Sequence, residues 1–362
     1  MAQAFFGGVH PNDMKAATNE KAIEQLQAPA QVVIPMSMHF GAPCTPTVSK
    51  GDYVKLGQKI GEFKGLGAPI HASVSGTVAA VEPRPYSMGG KVMSVVIDND
   101  FKDELSEEVK APADPDALSV EEMVEMVKQA GIVGMGGATF PTHVKISGGI
   151  GKVDTVIING AECEPYITGD HRAMLERTEE IIGGVKIIMV ALGVRDAWIA
   201  VEGDRRDEVA SMTKALGASE LISLKRISSK YPAGSEKQLL SALAGIEIGE
   251  GKTPIDAGFV VFNAETCKAV YDAFARGLPL IERVVTVDGD CIAKPKNLRV
   301  PIGTPLSHLI DCCGGLCKEP KKMICGGPMM GVAQWDPKAP VTKNTSALLV
   351  LSSYFDRESK LA

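Results

Sequence analysis

Between residues 153 and 276, short apolar runs alternate with longer segments of helical periodicity, and no other feature of the chain restricts its fold as strongly. The apolar runs, which have the length and composition of strands, are residues 153–158, 197–201, 221–227 and 257–262. The helical segments are residues 170–192, 205–216, 235–244 and 265–276. This alternation predicts a largely parallel sheet with helices packed on it. In open sheets of this kind, ligands bind beyond the carboxyl ends of the strands.

The region before this α/β segment has a different pattern. Residues 30–98 alternate short β-rich runs with glycine turns, which predicts a small all-β module. A linker rich in Glu, Asp, Pro and Ala follows at residues 103–117. Ser119 and Glu122 then form a capping-box pattern, so we expect a helix that begins there and stops at Gly131.

The β module resembles the barrel-sandwich domains that carry biotin or lipoate, through its phrases at residues 48–60 and 74–78. Where those domains have their carrier lysine, this chain has the sequence Ile-His-Ala-Ser around His71. We therefore expect neither modification, and we expect the module to serve in packing.

The residues after the α/β segment are again rich in β-type runs. Residues 283–311 predict a small β-grasp-like domain, and the tail after Lys343 contains one apolar run at residues 347–351. We therefore divide the chain into an N-terminal segment with the barrel-sandwich-like β domain at 1–110, an α/β domain at 111–280, a β-grasp-like domain at 281–340 and a tail at 341–362.

Length and charge restrict the function further. A chain of 362 residues is expected to form two or three domains. Its net charge of -6 argues against nucleic-acid binding, which requires an excess of Lys and Arg. The longest apolar stretch, residues 185–194, is about half of the roughly 20 residues that span a bilayer, and the first residues lack the pattern of a secretory signal. We expect a cytoplasmic chain without a transmembrane segment, with its eight cysteines mostly reduced.

A glycine-rich segment before the first apolar run is the strongest candidate for a phosphate-binding loop. Four of the seven residues 131–137 are glycines, among them Gly134, Gly136 and Gly137, and Lys145 follows. Glycines expose backbone N–H groups and allow a phosphate to approach closely, while a lysine adds positive charge. The segment fits neither the Walker pattern nor G-x-G-x-x-G. A structural glycine-rich turn remains the alternative.

Three further segments place polar residues where a strand ends or a helix begins. Residues 159–166 follow the run 153–158 and contain Asn159, Glu162 and Glu164, and carboxylates at such a position can bind ribose hydroxyls or a nicotinamide amide. The other two segments contribute Tyr231, Gly234, Ser235 and Glu236, and Asn263 and Thr266. Helix capping alone would explain Ser235 and Glu236.

Taken in order, these four segments resemble the flavin-binding subunit of respiratory complex I. The resemblance is closer to the C subunit of the Rnf electron-transport complex, an ion-translocating ferredoxin:NAD oxidoreductase. It is carried by the phrases GGVHP at residues 7–11, HFGAP at 39–43, GMGGATFPTHVK at 134–145, ECEPY at 162–166 and GGPMMG at 326–331. The resemblance implies an α/β protein with a Rossmann-like flavin and NADH domain, an N-terminal barrel-sandwich-like module and a C-terminal β-grasp (SLBB-like) domain.

The resemblance also implies the cofactors FMN and NAD(H), with NADH stacked on the flavin. It implies that the flavin is held by Gly134, Gly136, Gly137, Lys145, Asn159, Tyr231, Gly234, Asn263 and Thr266. It implies that the nucleotide is faced by Phe140, Glu162, Glu164 and Glu236, of which Glu162 and Glu164 are the candidate catalytic residues. Two positions differ from complex I, which has an arginine where this chain has Met135 and an aspartate where it has Ala161.

Rnf C subunits normally continue into a ferredoxin-like domain with two cysteine-rich motifs. The cysteines here never form the C-x-x-C-x-x-C spacing of a [4Fe–4S] site. We therefore expect the clusters in a missing C-terminal domain or in partner subunits, and we consider residues 359–362 a possible vector remnant. Only one group of cysteines could be a metal site, and we expect ordinary thiols there: Cys312, Cys313, Cys317 and Cys325.

The function that the resemblance implies is hydride exchange between NAD(H) and FMN, with electrons passed to or from iron–sulfur clusters and, indirectly, ferredoxin. The partners are then NADH and the other subunits of a membrane-bound complex, which would hold the chain on the inner face of the cell membrane. Two alternatives remain open. One is a flavin-dependent cobalamin reductase of the same superfamily, and the other is a non-catalytic docking subunit, which Met135 and Ala161 keep in consideration.

Overall fold

The computed structural model describes residues 3–112, 114 and 117–352. The residues considered as a vector remnant, 359–362, and three residues of the predicted linker lie outside this part of the chain. The first eight strands are β1 Ile23–Gln25, β2 Gln31–Pro35, β3 Thr45–Pro46, β4 Tyr53–Val54, β5 Lys59–Glu62, β6 Ile70–His71, β7 Gly76–Pro85 and β8 Lys91–Asn99. The others are β9 Thr155–Gly160, β10 Asp196–Glu202, β11 Ile222–Ile227, β12 Phe259–Asn263, β13 Glu282–Asp288, β14 Lys296–Pro301, β15 Lys322–Cys325, β16 Val332–Gln334 and β17 Ala347–Leu351.

The described helices lie mostly in the α/β segment. They are α1 Val120–Gln129, α2 Thr142–Gly149, α3 Gly169–Glu176, α4 Thr178–Leu192, α5 Arg206–Leu216, α6 Glu236–Ala244, α7 Ala264–Arg276 and α8 Leu306–Cys312, with a short 3-10 helix at Pro254–Ala257. Within the described part of the chain, none of them combines the length and the apolar character that crossing a lipid bilayer requires.

The predicted parallel sheet is present, with the strand order β11-β10-β9-β12 and parallel pairing throughout. The first strand differs from its prediction, since β9 starts at Thr155 rather than at residue 153 and continues to Gly160. The strand extends beyond its predicted end because Asn159 still pairs with the neighbouring strands, opposite Ala200 of β10 and Asn263 of β12. The end of the strand therefore carries Asn159 directly.

Helices cover both faces of this sheet. In β9, Val156 and Ile158 pack into a large apolar core shared with α1, α2, α3, α4, α5 and α7, while Ile157 points to the other face. That second face is covered by α6, through Leu239 and Leu240, and by Phe5 from the N-terminal segment. All three β9 side chains are fully buried, which explains why the strand is a continuous apolar run rather than an alternating one.

Two helical predictions can be compared with the structure in detail. The capping box that begins α1 is confirmed, because Ser119 Oγ accepts a hydrogen bond from the Glu122 N–H and the Glu122 carboxylate accepts one from the Ser119 N–H. The single helix predicted over residues 170–192 is wrong. Arg177 has φ -126° and ψ 27°, so α3 ends before it and α4 begins after it.

The β-rich ends of the chain form three further sheets. The N-terminal module consists of two antiparallel sheets, β2-β8-β7-β4 and β3-β5-β6. His71, where a carrier lysine would be expected, lies on β6 and is buried, and burial lowers its pKa to about 3. The C-terminal sheet has six strands in the order β1-β14-β13-β17-β15-β16.

The six-stranded sheet extends past the boundaries predicted for the β-grasp-like domain, 281–340. Strand β17 lies within the predicted tail, 341–362, yet it pairs in parallel with β13 and antiparallel with β15. Strand β1 comes from the N-terminal segment and pairs with β14. The apolar run predicted at residues 347–351 is β17, but its pairing partners and the short strand β1 were not predicted, because both strands join partners that are distant in sequence or separated by a long loop.

Candidate functional site

A cleft of about 510 Å³ lies beyond the carboxyl ends of β9 and β12. Loops of the six-stranded sheet form its opposite wall, so two parts of the fold share it. Its volume is within the range of small-molecule and cofactor sites. Eight of the residues predicted from the sequence line it: Gly136, Gly137, Asn159, Glu162, Glu164, Tyr231, Gly234 and Asn263. The end of β9 and the glycine loop therefore share one cleft.

The glycine loop is held from behind by hydrogen bonds of its own backbone. The N–H of Gly134 donates to the carbonyl of Phe140 at 2.9 Å, and the N–H of Met135 donates to the buried Thr266 hydroxyl at 3.0 Å. Gly134, Phe140 and Thr266 do not line the cleft. They fix the loop so that Gly136 and Gly137 face the cleft.

Gly137 is the loop position that most clearly requires glycine. Its φ of +126° is a conformation that L side chains rarely adopt, and a Cβ built there would meet no atom within 4 Å. The backbone thus borders open space on the cleft side. This is the arrangement by which a glycine loop lets a phosphate or a flat ring approach the main chain.

The strand-end asparagines are fixed by local hydrogen bonds. Asn159 donates through Nδ2 to the carbonyl of Gly234 at 2.7 Å, which joins the end of β9 to the segment before α6. Asn263 caps α7, because its side-chain oxygen accepts from the N–H groups of Glu265 and Thr266. Asn263 also donates to Asp170 at 2.6 Å. These contacts hold both side chains in one position at the cleft.

Glu162 lies against the beginning of α3. Its carboxylate accepts hydrogen bonds from the N–H groups of Asp170 at 2.9 Å and His171 at 3.3 Å. Lys15 Nζ lies 3.9 Å from the same carboxylate and also donates to the Glu162 carbonyl. Burial raises the pKa of Glu162, and the positive charge of Lys15 opposes that effect. Glu162 therefore stabilises the start of a helix while it lines the cleft.

Glu164 connects the two walls of the cleft. Its carboxylate accepts from the N–H of Met329 at 3.0 Å and from the N–H of Met330 at 2.8 Å. Both donors belong to the loop 326–331 of the six-stranded sheet, which we call the methionine loop. Burial raises the pKa of Glu164, whereas these two hydrogen bonds lower it. The carboxylate therefore holds the methionine loop over the cleft.

Lys145 and Glu236 are placed differently from their prediction as ligand contacts. They form an ion pair at 2.5 Å, and neither side chain lines the cleft. Ser235, next to Glu236, does line it. Ser235 occupies the N-cap position of α6, but its side chain makes no capping hydrogen bond.

Sequence reasoning did not identify several residues that line the cleft. Arg283 is buried and Asp170 is half-buried, and they lie at the starts of β13 and α3. Arg283 was visible as a single cation at the beginning of an apolar strand, a signal that could have marked it. The methionine loop was noted only as part of the family resemblance.

The four cysteines considered as a metal site are spread over different elements. Cys312 and Cys313 lie at the end of α8, Cys317 is exposed, and Cys325 lies on β15 and lines the cleft. Over residues 3–112, 114 and 117–352, no group of three His, Cys, Asp or Glu side chains is placed to hold a metal ion. Burial raises the pKa of the Cys325 thiol to about 12.

Comparison with protein families supports the assignment of the three folded parts. Residues 127–272 match the Nuo51 FMN-binding domain, residues 3–102 the RnfC barrel sandwich hybrid domain, and residues 284–333 the SLBB domain. The fold and the cleft thus define a class of protein, built on an FMN-binding domain of the complex I type that is flanked by a barrel-sandwich hybrid and an SLBB domain.

Curated relatives identify the family within that class. The C subunit of the Na⁺-translocating ferredoxin:NAD⁺ oxidoreductase complex of Acetobacterium woodii is 45% identical over 96% of this chain and 79% of its own length. The C subunit of the proton-translocating complex of Clostridium ljungdahlii is 45% identical over 97% of this chain and 77% of its own length. The chain belongs to the family of Rnf-type C subunits of ion-translocating oxidoreductase complexes, as the sequence resemblance implied.

A solved structure shows the same fold at low identity. A chain of an NAD⁺-reducing [NiFe]-hydrogenase in its H₂-reduced state is 19% identical and superposes with a TM-score of 0.58, covering 67% of this chain and 48% of that one. This similarity concerns the fold alone.

Proposed function

We propose that this chain exchanges hydride between NAD(H) and FMN as the C subunit of an ion-translocating ferredoxin:NAD⁺ oxidoreductase complex. The single observation that supports it most strongly is the cleft, in which the glycine loop of the FMN-binding domain meets the strand ends of β9 and β12. The 45% identity to C subunits of such complexes supports the assignment of this chain to a complex of that type.

The cleft fits FMN in three respects. Its volume of about 510 Å³ suits a cofactor of that size. Gly136 and Gly137 offer backbone that a ligand can approach closely, and Asn159, Asn263 and Tyr231 offer polar groups. A buried guanidinium, that of Arg283, borders the cleft with one Nη atom that has no protein partner among the described residues.

Within this proposal the predicted site residues have two kinds of role. The eight that line the cleft contact FMN or NADH, with Glu162 and Glu164 on the nucleotide side. Gly134, Phe140 and Thr266 act through the loop they hold, while Lys145 and Glu236 act at the cleft border once their ion pair opens.

When bound, FMN supplies the redox chemistry, because it accepts two electrons as a hydride and can release them singly. The chain itself positions the reactants and excludes water from the cleft. Iron–sulfur clusters outside the described residues would supply the one-electron carriers for this exchange, and partner subunits would hold the chain at the inner face of the membrane.

Binding of FMN to the whole chain tests this proposal, and fluorescence quenching measures it. Gly137→Ala places a Cβ at a strained backbone position in the cleft, so we expect it to weaken FMN binding at least several-fold. Gly193→Ala is the matched control, because Gly193 also has positive φ and open space around it but caps α4 away from the cleft. A wild-type chain that binds no FMN, or equal FMN affinity in the two variants, would contradict the proposal.

A further inference from the structure

Arg283 is the one Lys or Arg side chain that borders the cleft among the described residues. It is the second residue of β13, lies opposite Val300 of β14, and is only 2% exposed. Three carboxylates, those of Glu162, Glu164 and Asp170, also line the cleft. Arg283 is therefore the cation that an anionic ligand would meet in this cleft without the Lys145–Glu236 ion pair first having to open.

The protein satisfies this guanidinium only in part. Its Nε donates to the carbonyl of Thr345 at a long 3.4 Å, and its buried Nη1 has no hydrogen-bond partner in the described part of the chain. Burial has the largest effect on Arg283 and lowers its pKa. The negative charges of Glu265 and Asp170 favour the protonated guanidinium and partly oppose that effect.

An arrangement of this kind is costly without a further partner. Buried charges are normally paired and hydrogen-bonded, because removing an unpaired charge from water is strongly unfavourable. Among the described residues, no carboxylate lies within ion-pairing distance of Arg283. By contrast, Arg205, Lys268 and Arg276 each form an ion pair with a carboxylate. The missing partner is expected in the cleft, which the side chain already borders.

We propose that Arg283 binds an anionic or carbonyl oxygen of the flavin, an inference that rests on the proposed function and adds a residue of the SLBB domain to the cofactor site. A planar guanidinium can donate two parallel hydrogen bonds to such oxygens. Two parts of FMN carry this chemistry, the phosphate and the pyrimidine edge of the ring. Lys145, the other candidate cation, is paired with Glu236 and does not line the cleft.

The competing explanation is a purely structural cation. Arg283 also borders a small cavity of about 30 Å³ beside Glu265 and Lys268, which has room for a water molecule that could complete its hydrogen bonds. In that case a substitution would change stability without changing how the flavin binds. Flavin affinity and flavin potential therefore separate the two explanations, whereas activity alone does not.

The test compares Arg283→Gln, Arg283→Lys and the control Arg299→Gln in the whole chain. Arg299 lies on the neighbouring strand β14, pairs with Glu282, and does not line the cleft. We expect Arg283→Gln to weaken FMN binding at least about tenfold, as loss of a charged hydrogen bond does. Arg283→Lys should keep part of the affinity, and Arg299→Gln should bind FMN as the wild type does.

Riboflavin and the midpoint potential identify which oxygen is bound. If the phosphate is the partner, Arg283→Gln weakens FMN binding but leaves riboflavin binding unchanged. If the ring is the partner, both ligands bind more weakly and the potential of bound FMN falls, by about 30 mV for each tenfold preferential loss of the reduced form.

Unchanged FMN affinity together with an unchanged potential in Arg283→Gln would overturn the inference, even if the protein became less stable. Should that variant fail to fold, Arg283→Lys decides, because lysine keeps the charge but loses the fork, and several-fold weaker FMN binding is expected. FMN binding and potential equal to those of the wild type in that variant would overturn the inference. A wild-type chain that binds no flavin overturns this inference and the proposed function together.

Discussion

The ammonium group of Lys145 lies 2.5 Å from a carboxylate oxygen of Glu236, and this ion pair stands outside the cleft lining. The sequence predicts that Lys145 binds the FMN phosphate, which requires the pair to open. The two side chains are 23% and 42% exposed. Ion pairs exposed to this degree contribute about 0.2–1 kcal/mol, so a phosphate dianion can compete with Glu236 for the lysine.

Two substitutions with opposite effects test this competition. We expect Lys145→Met to weaken FMN binding by about 1–3 kcal/mol, because a charge-assisted hydrogen bond is lost. We expect Glu236→Gln to strengthen it by up to about 1 kcal/mol, because the competing carboxylate is removed. Fluorescence titration with FMN measures both, and Lys237→Met, an exposed lysine outside the cleft, is the control. If both variants bind FMN like the wild type, the pair is only structural.

The hydrogen bonds from the methionine loop to Glu164 predict a local change in dynamics. Glu164→Gln leaves one acceptor oxygen for two backbone donors, so the loop should open more often. We expect hydrogen exchange at the Met329 and Met330 amides to accelerate about tenfold or more, and NADH to bind more weakly. Glu250→Gln, an exposed glutamate away from the cleft, should change neither. Unaltered exchange at both amides would show that Glu164 does not hold the loop.

Lys343 predicts a large effect on stability far from the cleft. This fully buried side chain donates to the carbonyls of Pro69 at 2.9 Å and Gly131 at 2.6 Å, and so links the N-terminal module, the end of α1 and the C-terminal region. Lys343→Met leaves two buried carbonyls without a donor, which should cost about 2–5 kcal/mol in denaturant unfolding. Lys338→Met, at an exposed position, should cost less than about 0.5 kcal/mol. A similar small cost at both positions would contradict this role.

Glu265 predicts a pH dependence of stability. Burial raises its pKa from 4.5 to about 7, so the folded protein binds a proton there more tightly than the unfolded chain does. Its contribution to stability is therefore present below pH 4.5 and is lost as pH rises towards 7. Glu265→Gln should not lose stability in this way. The difference in the free energy of unfolding between the variant and the wild type should therefore change by at most about 1.4 kcal/mol per pH unit. If the free energy of unfolding changes with pH in the same way in both proteins over this range, Glu265 does not cause the pH dependence.

The parallel sheet could be predicted because its signals are local. Each strand is an apolar run that ends in a turn or a polar residue, and the capping box at Ser119 and Glu122 marks a helix start within four residues. The candidate site followed from the same logic, since Asn159 and Asn263 directly follow apolar runs predicted as parallel strands, and the carboxyl ends of such strands lie at one edge of the sheet.

The features that the sequence did not reveal depend on contacts between distant segments. The bond from Lys343 to Pro69 joins residues 274 positions apart, and β17 inserts between β13 and β15. The break at Arg177 lies inside an apolar pattern that continues across it. The position of Arg283 at the start of an apolar strand does not show which surface its side chain faces. Its place in the cleft depends on the loops of the six-stranded sheet, which form one wall of the cleft.

The account depends most on the reduction of bound flavin by NADH. FMN-loaded whole chain, mixed with excess NADH without oxygen, should lose the visible absorbance of oxidised flavin and then regain it when an artificial one-electron acceptor is added. Because the described residues bring the glycine loop and the strand ends into one cleft, this half-reaction should need no other protein. If FMN binds but its absorbance stays unchanged under excess NADH, hydride exchange with NAD(H) is not the function of this cleft.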